Sequence, residues 1–333
     1  MGNEGAASSE SPPRRRSRLR VWLVQGTAAV VLLFAFEVVR AGLFWGEDRW
    51  HAELVFADYD CSIGSICRIK PHTRRKTWAG AGSAYSYSTN AAGFRSPEFP
   101  PVARTPGIAR VAVFGSSPVF GLGVSDGETL PERLREALEA ARPGRRVEVL
   151  NFGLPMTYLG SAARAYSEFA RAYRPDVVVF VQPEAQLLRD MNYRVLQIHQ
   201  SRVLRWLLGQ RWGRGIVNNF QYAAIGLGDR ITGEGAGQLL RQRLAPLVED
   251  QRATGTDVVF FHLFDGRGGA QALERAIPDG LRRTVVPGGW SHEEYLQSPL
   301  IIPADGHPNA AGQQHFAARL ATVVAPLLDA RGM

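Results

Sequence analysis

The sequence predicts an α/β fold: a parallel sheet covered on both faces by helices, behind one apolar N-terminal helix. Three observations predict it. Short, almost wholly apolar runs recur at 111–114, 147–150, 176–181 and 257–263, each bounded by turn residues. Runs of that kind suit strands buried on both faces of a sheet. Between them lie longer stretches with apolar residues at helical spacing, and β-α alternation implies helices on both faces of a parallel sheet, a three-layer α/β/α domain. Ahead of all this, residues 21–45 are mostly apolar and follow a cluster of arginines.

Along the 333-residue chain, residues 1–20 are rich in Ser, Pro and Arg and are expected to be disordered and cytoplasmic. Arg14, Arg15, Arg16, Arg18 and Arg20 precede the apolar stretch, and Glu47 and Asp48 follow it. Counted from 21 to 45, the stretch is long enough for a bilayer core of about 30 Å. The arginines put its N-terminal end on the cytoplasmic side. No small-x-small cleavage site is evident, so an uncleaved transmembrane anchor is expected rather than a signal peptide. The domain beyond it is then periplasmic, held to the inner membrane by a single pass.

Residues 46–105 read as an extracytoplasmic collar or linker, with one short alternating strand around Tyr85, Tyr87 and Thr89. The α/β domain is expected over 106–333. Its first helix starts at Thr129-Leu130-Pro131-Glu132, a capping box with proline in the first turn, and carries Leu130, Leu134 and Leu138 inward. A second helix turns Tyr158, Ala162, Ala165, Tyr166 and Phe169 to one face. Residues 201–212 form a basic amphipathic helix, and 238–250 another helical stretch. Asn309 caps a last helix that buries Phe316, Leu320, Val323 and Leu327. Cys61 and Cys67 close a short disulfide loop if the compartment is oxidising, and are two separate thiols otherwise. The net charge of +8 is carried by arginine and is largely local, and no nucleic-acid recognition signature accompanies it.

Two stretches carry chemistry. In Gly115-Ser116-Ser117-Pro118-Val119-Phe120-Gly121-Leu122-Gly123-Val124, serines stand on a strand-to-helix turn, where open α/β sheets place their ligands. In Asp305-Gly306-His307, an acid and a histidine sit two apart just before the last helix. A carboxylate that fixes one ring nitrogen leaves the other to take a proton from a serine.

Together these motifs resemble the SGNH hydrolases, also called GDSL-type esterases, in their membrane-anchored branch. The resemblance covers roughly residues 85–330 and includes Asn90-Ala91-Ala92-Gly93-Phe94-Arg95 ahead of the domain. It implies Ser117 as nucleophile, His307 as base and Asp305 as the orienting acid. The N–H groups of Ser117 and of Gly153, in Asn151-Phe152-Gly153, would form the oxyanion hole. It also implies acyl transfer from an acylated envelope glycan or lipid to water or a sugar hydroxyl, without metal or organic cofactor. Three departures stand out. Ser116 replaces the family's aspartate, and the acid stands two rather than three residues before the histidine. Ala185 and Gln186 occupy the place of the family's Asn-Asp, leaving Gln182 or Gln186 as substitute oxyanion donors. These losses keep a second reading open, a catalytically degenerate scaffold or glycan-binding module. A nucleotide-binding Rossmann protein is disfavoured, since neither Gly-x-Gly-x-x-Gly nor a Walker lysine is present.

Overall fold

In the computed structural model, residues 15–44, 59–62, 66–79, 83–155, 157–182, 202, 203, 206, 234–264, 277–303 and 305–333 are described. The chain divides into two units, Met1–Arg49 and Trp50–Met333. The first contains one 30-residue helix, α1 (Arg15–Phe44). It begins at Arg15, earlier than expected, because arginine and leucine are good helix formers. Its described side chains from Val21 to Leu33 are exposed, among them Trp22, Leu23, Leu32 and Leu33. Among the described residues, no helix is long and apolar enough to cross a membrane. The expected span over 21–45 is thus not supported among the described residues. Its apolar run stops at Glu37 after about 24 Å of helix, and Gln25, Gly26 and Thr27 dilute it.

The second unit is built on strand β5 (Ala109–Phe114), every residue of which is buried. It pairs in parallel with β6 (Val147–Asn151) on one side and β7 (Val177–Gln182) on the other. Strands β8 (Asp257–His262) and β9 (Thr284–Val286) extend the sheet to the order β6-β5-β7-β8-β9, parallel throughout. This 2-1-3-4-5 order has its switch point between the first and third strands, at the carboxyl end of β5.

Alternation along each strand sorts side chains to two faces. Val111, Val113, Val177, Val179, Val259 and Phe261 pack with Leu130, Leu134 and Leu138 of α3 (Leu130–Ala141), below the last long helix, Ala310–Asp329. That helix buries Phe316, Leu320, Val324 and Leu328. The expected stripe of Val323 and Leu327 is thus displaced by one residue in its second half, and both are only partly buried. The opposite face carries Phe114, Phe180 and Phe260, stacked with centroids 5.3 and 5.4 Å apart. It is covered by α4 (Leu159–Ala165), which runs on through a π turn and a 3₁₀ turn to Tyr173, and by α5 (Glu234–Thr254).

Thr129 precedes α3, but its side chain makes no cap bond. Its hydroxyl donates to Glu132 Oε2 instead, at 2.7 Å, so the capping box is not formed. A capping box does form at Ser291, opening α6 (His292–Gln297), a short helix the sequence reading missed. The long final helix is α7, capped by Asn309, whose Oδ1 accepts from Gly312 N–H at 3.0 Å.

Residues 59–105 are no simple linker. β1 (Tyr59–Asp60) pairs with β2 (Arg68–Ile69), and β3 (Arg74–Ala79) pairs with β4 (Ser83–Ser88). Tyr59, Ile66, Ile69, Tyr85, Tyr87 and Phe94 join the aromatic core of the sheet. Charged Arg74-Arg75-Lys76 hid β3 from a pattern search. Cys61 and Cys67 are disulfide-bonded. The basic amphipathic helix expected at 201–212 lies, but for 202, 203 and 206, outside the described residues.

Candidate active site

Gly115 ends β5 because nothing larger fits. A Cβ there would stand 2.5 Å from Val119 Cγ2 and 2.8 Å from Val181 O. The chain then turns into α2 (Ser117–Phe120), a single turn with Ser116 as N-cap. One turn of helix cannot satisfy its own carbonyls, and here side chains from distant parts of the chain do so. Gln313 Nε2 donates to Pro118 O at 3.0 Å and Asn151 Nδ2 to Val119 O at 3.2 Å. Arg95 Nη1 donates to Phe120 O at 3.3 Å and to Gly121 O at 2.5 Å. The turn that carries Ser117 is thus held from α7, from the end of β6 and from the segment before the sheet.

Ser117 is half-buried, and its Oγ lies 2.7 Å from His307 Nε2. His307 Nδ1 lies 2.5 Å from Asp305 Oδ1, which also accepts the His307 backbone N–H at 3.1 Å. With Nδ1–H directed at the carboxylate, Nε2 is left to accept the Ser117 proton. The two-residue spacing works because Gly306, at φ 85°, folds the acid back onto the histidine. Asp305 and Gly306 N–H groups both donate to Ile302 O at 3.1 Å, and Tyr295 Oη donates to Gly306 O at 3.1 Å. Burial pushes the Tyr85 phenol up to about 12, Arg95 and a Gly123 hydrogen bond opposing and the Asp305 carboxylate adding to the rise. Burial, with Asp305 second, also raises Tyr295. Ser116 is buried and its side chain makes no cap bond.

The side on which oxyanion donors were expected differs from expectation. As the first residue of α2, Ser117 has no intrahelical acceptor for its N–H. Gly153 N–H, expected to face the same space, donates to Asn151 Oδ1 at 2.8 Å. Asn151 therefore ties the Gly153 turn to α2 through both ends of its amide. Gly153 is also a packing glycine: a Cβ there would stand 2.5 Å from Phe120 N and 2.7 Å from Val119 C. Gln182, at the end of β7, is buried, and among the described residues neither of its amide atoms has a hydrogen-bond partner. Ala185 and Gln186 lie outside the described residues. Among the described residues no group of three or more His, Cys, Asp or Glu could hold a metal ion.

Sequence reasoning missed the positioning roles of Asn151 and Gln313. Gln313 had a signal: it is a polar residue on the apolar face of α7, fully buried.

The fold and site define a parallel α/β protein with a Ser–His–Asp array at the carboxyl edge of its first central strand. No protein-family model matches the chain, and no curated protein matches it. Solved structures similar to it include ones described as lipases, esterases and an acylhydrolase. TesA is 16% identical, with a TM-score of 0.42 over 66% of this chain and 99% of that one. A lipase/acylhydrolase from Enterococcus faecalis is 13% identical, with a TM-score of 0.38 over 66% and 96%. A two-domain esterase active on acetylated mannans is 15% identical, with a TM-score of 0.39 over 67% of this chain and 49% of its own length. At these scores the chemistry below stands on the Ser117–His307–Asp305 geometry alone.

Proposed function

We propose that this protein is a serine acyl hydrolase or O-acyltransferase of SGNH type. The observation that carries the reading is the 2.7 Å contact between Ser117 Oγ and His307 Nε2, continued at 2.5 Å to Asp305. Ser117 attacks an ester carbonyl while His307 takes its proton. Asp305 holds the imidazolium that forms. The tetrahedral intermediate collapses, His307 protonates the leaving alcohol, and an acyl-serine remains. Water, deprotonated by His307, releases the acid; a sugar hydroxyl in its place makes a transferase. Ser117 N–H supplies one oxyanion donor. Gln182 is the proposed side-chain donor, supported by its unpartnered amide at the end of the strand beside β5. Gly153 serves as a third only if Asn151 releases it.

The proposed substrate is an acylated envelope glycan or lipid, and the proposed location is the periplasmic face of the inner membrane. The support is the arginine cluster ahead of Val21, the exposed apolar side chains that follow it along α1, and the Cys61–Cys67 disulfide. A C-terminal reporter active only in the periplasm tests this; a silent reporter there beside an active cytoplasmic one ends it. For the chemistry, a fluorophosphonate probe is expected to label the native protein and not Ser117→Ala. Engagement of Gly153 N–H by Asn151 favours the second reading, a degenerate glycan-binding scaffold. Absence of labelling in the native protein would select it.

A further inference from the structure

The element Asn90-Ala91-Ala92-Gly93-Phe94-Arg95 lies outside the sheet domain's strands and helices, yet it reaches the nucleophile. Asn90 Oδ1 accepts the N–H groups of Ala92 and Phe94, each at 3.0 Å. Gly93, at φ 80°, passes so close to Ile69 O that a Cβ would sit 2.2 Å from it. This tight turn sends Phe94 into the core, edge-on to Phe152 with centroids 5.0 Å apart. It sends the next side chain, Arg95, to the far end of α2.

There the guanidinium is almost completely enclosed, with 2% of its side chain exposed. Nη1 donates to Phe120 O and Gly121 O, at 3.3 and 2.5 Å. Nη2 donates to Val124 O at 2.6 Å and to Ser86 O of β4 at 3.2 Å. Nε donates to Asp126 Oδ1 at 2.9 Å. The rings of Phe120, Tyr87 and Tyr85 surround it, with centroids 5.3, 5.8 and 5.9 Å from Cζ. A buried cation at the carboxyl end of α2 also complements the carbonyl dipoles there.

We propose that Arg95 is a positioning residue through which the N-terminal collar sets the nucleophile: by holding the carbonyls of 120, 121 and 124, it keeps Ser117 Oγ on His307 Nε2. This rests on Ser117 being the nucleophile. Only the planar five-donor fork of arginine can hold these carbonyls and Asp126 together; a lysine ammonium cannot.

The experiment compares the full-length protein with Arg95→Lys and Arg95→Ala. Arg68→Lys is the control, since Arg68 binds Ala92 O and Asp60 in the collar and, among the described residues, makes no bond to α2. Hydrolysis of p-nitrophenyl acetate is measured together with thermal stability. Arg95→Lys is expected to lose about 10²-fold in kcat, the scale of a small misplacement of a reacting group, with little change in KM. Added guanidinium is expected to restore part of the activity of Arg95→Ala. The ¹⁵N shift of His307 Nε2, which reads the Ser117 hydrogen bond without turnover, is expected to move in Arg95→Lys and to stay in Arg68→Lys. An unmoved His307 signal in Arg95→Lys overturns the proposal, as does an equal loss of kcat in Arg68→Lys. If Arg95→Ala fails to fold, Arg95→Lys alone decides. If native Ser117 takes no fluorophosphonate, the hydrolase reading fails, while the His307 signal still decides the role of Arg95.

Discussion

Replacing Gly153 by alanine separates its two possible roles. Alanine keeps the N–H, so a residue that serves only as an oxyanion donor would tolerate the change. The structure gives the added methyl no room: it would stand 2.5 Å from Phe120 N, 2.7 Å from Val119 C and 2.7 Å from Val119 Cγ1. Optimal separation is about 3.5 Å, so the overlap approaches ~1 Å. Two of the three atoms are backbone of α2 and cannot rotate away. Overpacking of this kind costs about 1–3 kcal/mol. Loss of glycine's freedom in the unfolded chain offsets about 0.4–1 kcal/mol of it. Each remaining kcal/mol lowers Tm by about 2–4 °C in a domain of this size. If α2 yields instead, Ser117 moves with it, and a shift near 1 Å costs about 10²-fold in rate. Gly153→Ala is therefore expected to stay folded, to lose up to about 10 °C in Tm and to hydrolyse p-nitrophenyl acetate about 10²-fold more slowly. Native kcat and native fluorophosphonate labelling in this variant would refute the packing argument.

Three further outcomes are expected. Asp305→Asn leaves the loop in place but no longer holds the His307 tautomer, and kcat is expected to fall by about 10⁴; a loss under tenfold would remove Asp305 from the array. Gln182→Leu deletes a buried amide that has no partner among the described residues, so denaturant unfolding should show a gain of about 1–3 kcal/mol. The same change should cut kcat by about 10²–10³ if the amide serves the oxyanion, and a more stable variant of native activity would strike Gln182 from the site. Opening the Cys61–Cys67 loop with paired serines should cost about 2 kcal/mol. It should also loosen Tyr59, whose hydroxyl donates to Pro155 O beyond the Gly153 turn, and unchanged stability would show that the loop is held by packing alone.

The sheet was legible because its chemistry is local. Each central strand is an apolar run between turn residues, and its burial on both faces leaves no other reading. Ser117, Asp305 and His307 were not singled out by their own turns, since Gly/Ser and Asp-Gly-His turns are common; the order and spacing of the motifs, through the family resemblance, pointed to them. Their meeting within 2.7 Å follows from parallel topology, which brings those ends to one rim. Tertiary packing alone decided what holds the serine there. A one-turn helix leaves its carbonyls open, and which side chains close them depends on contacts across 25 to 195 residues. No periodicity records that Gln313, Asn151 and Arg95 converge on α2. Nor does any record that Asn151 takes the Gly153 N–H, or that charged β3 and short β9 form strands at all. Those outcomes are set by which backbone groups remain unpaired once the sheet has closed, a quantity that exists only in the folded chain.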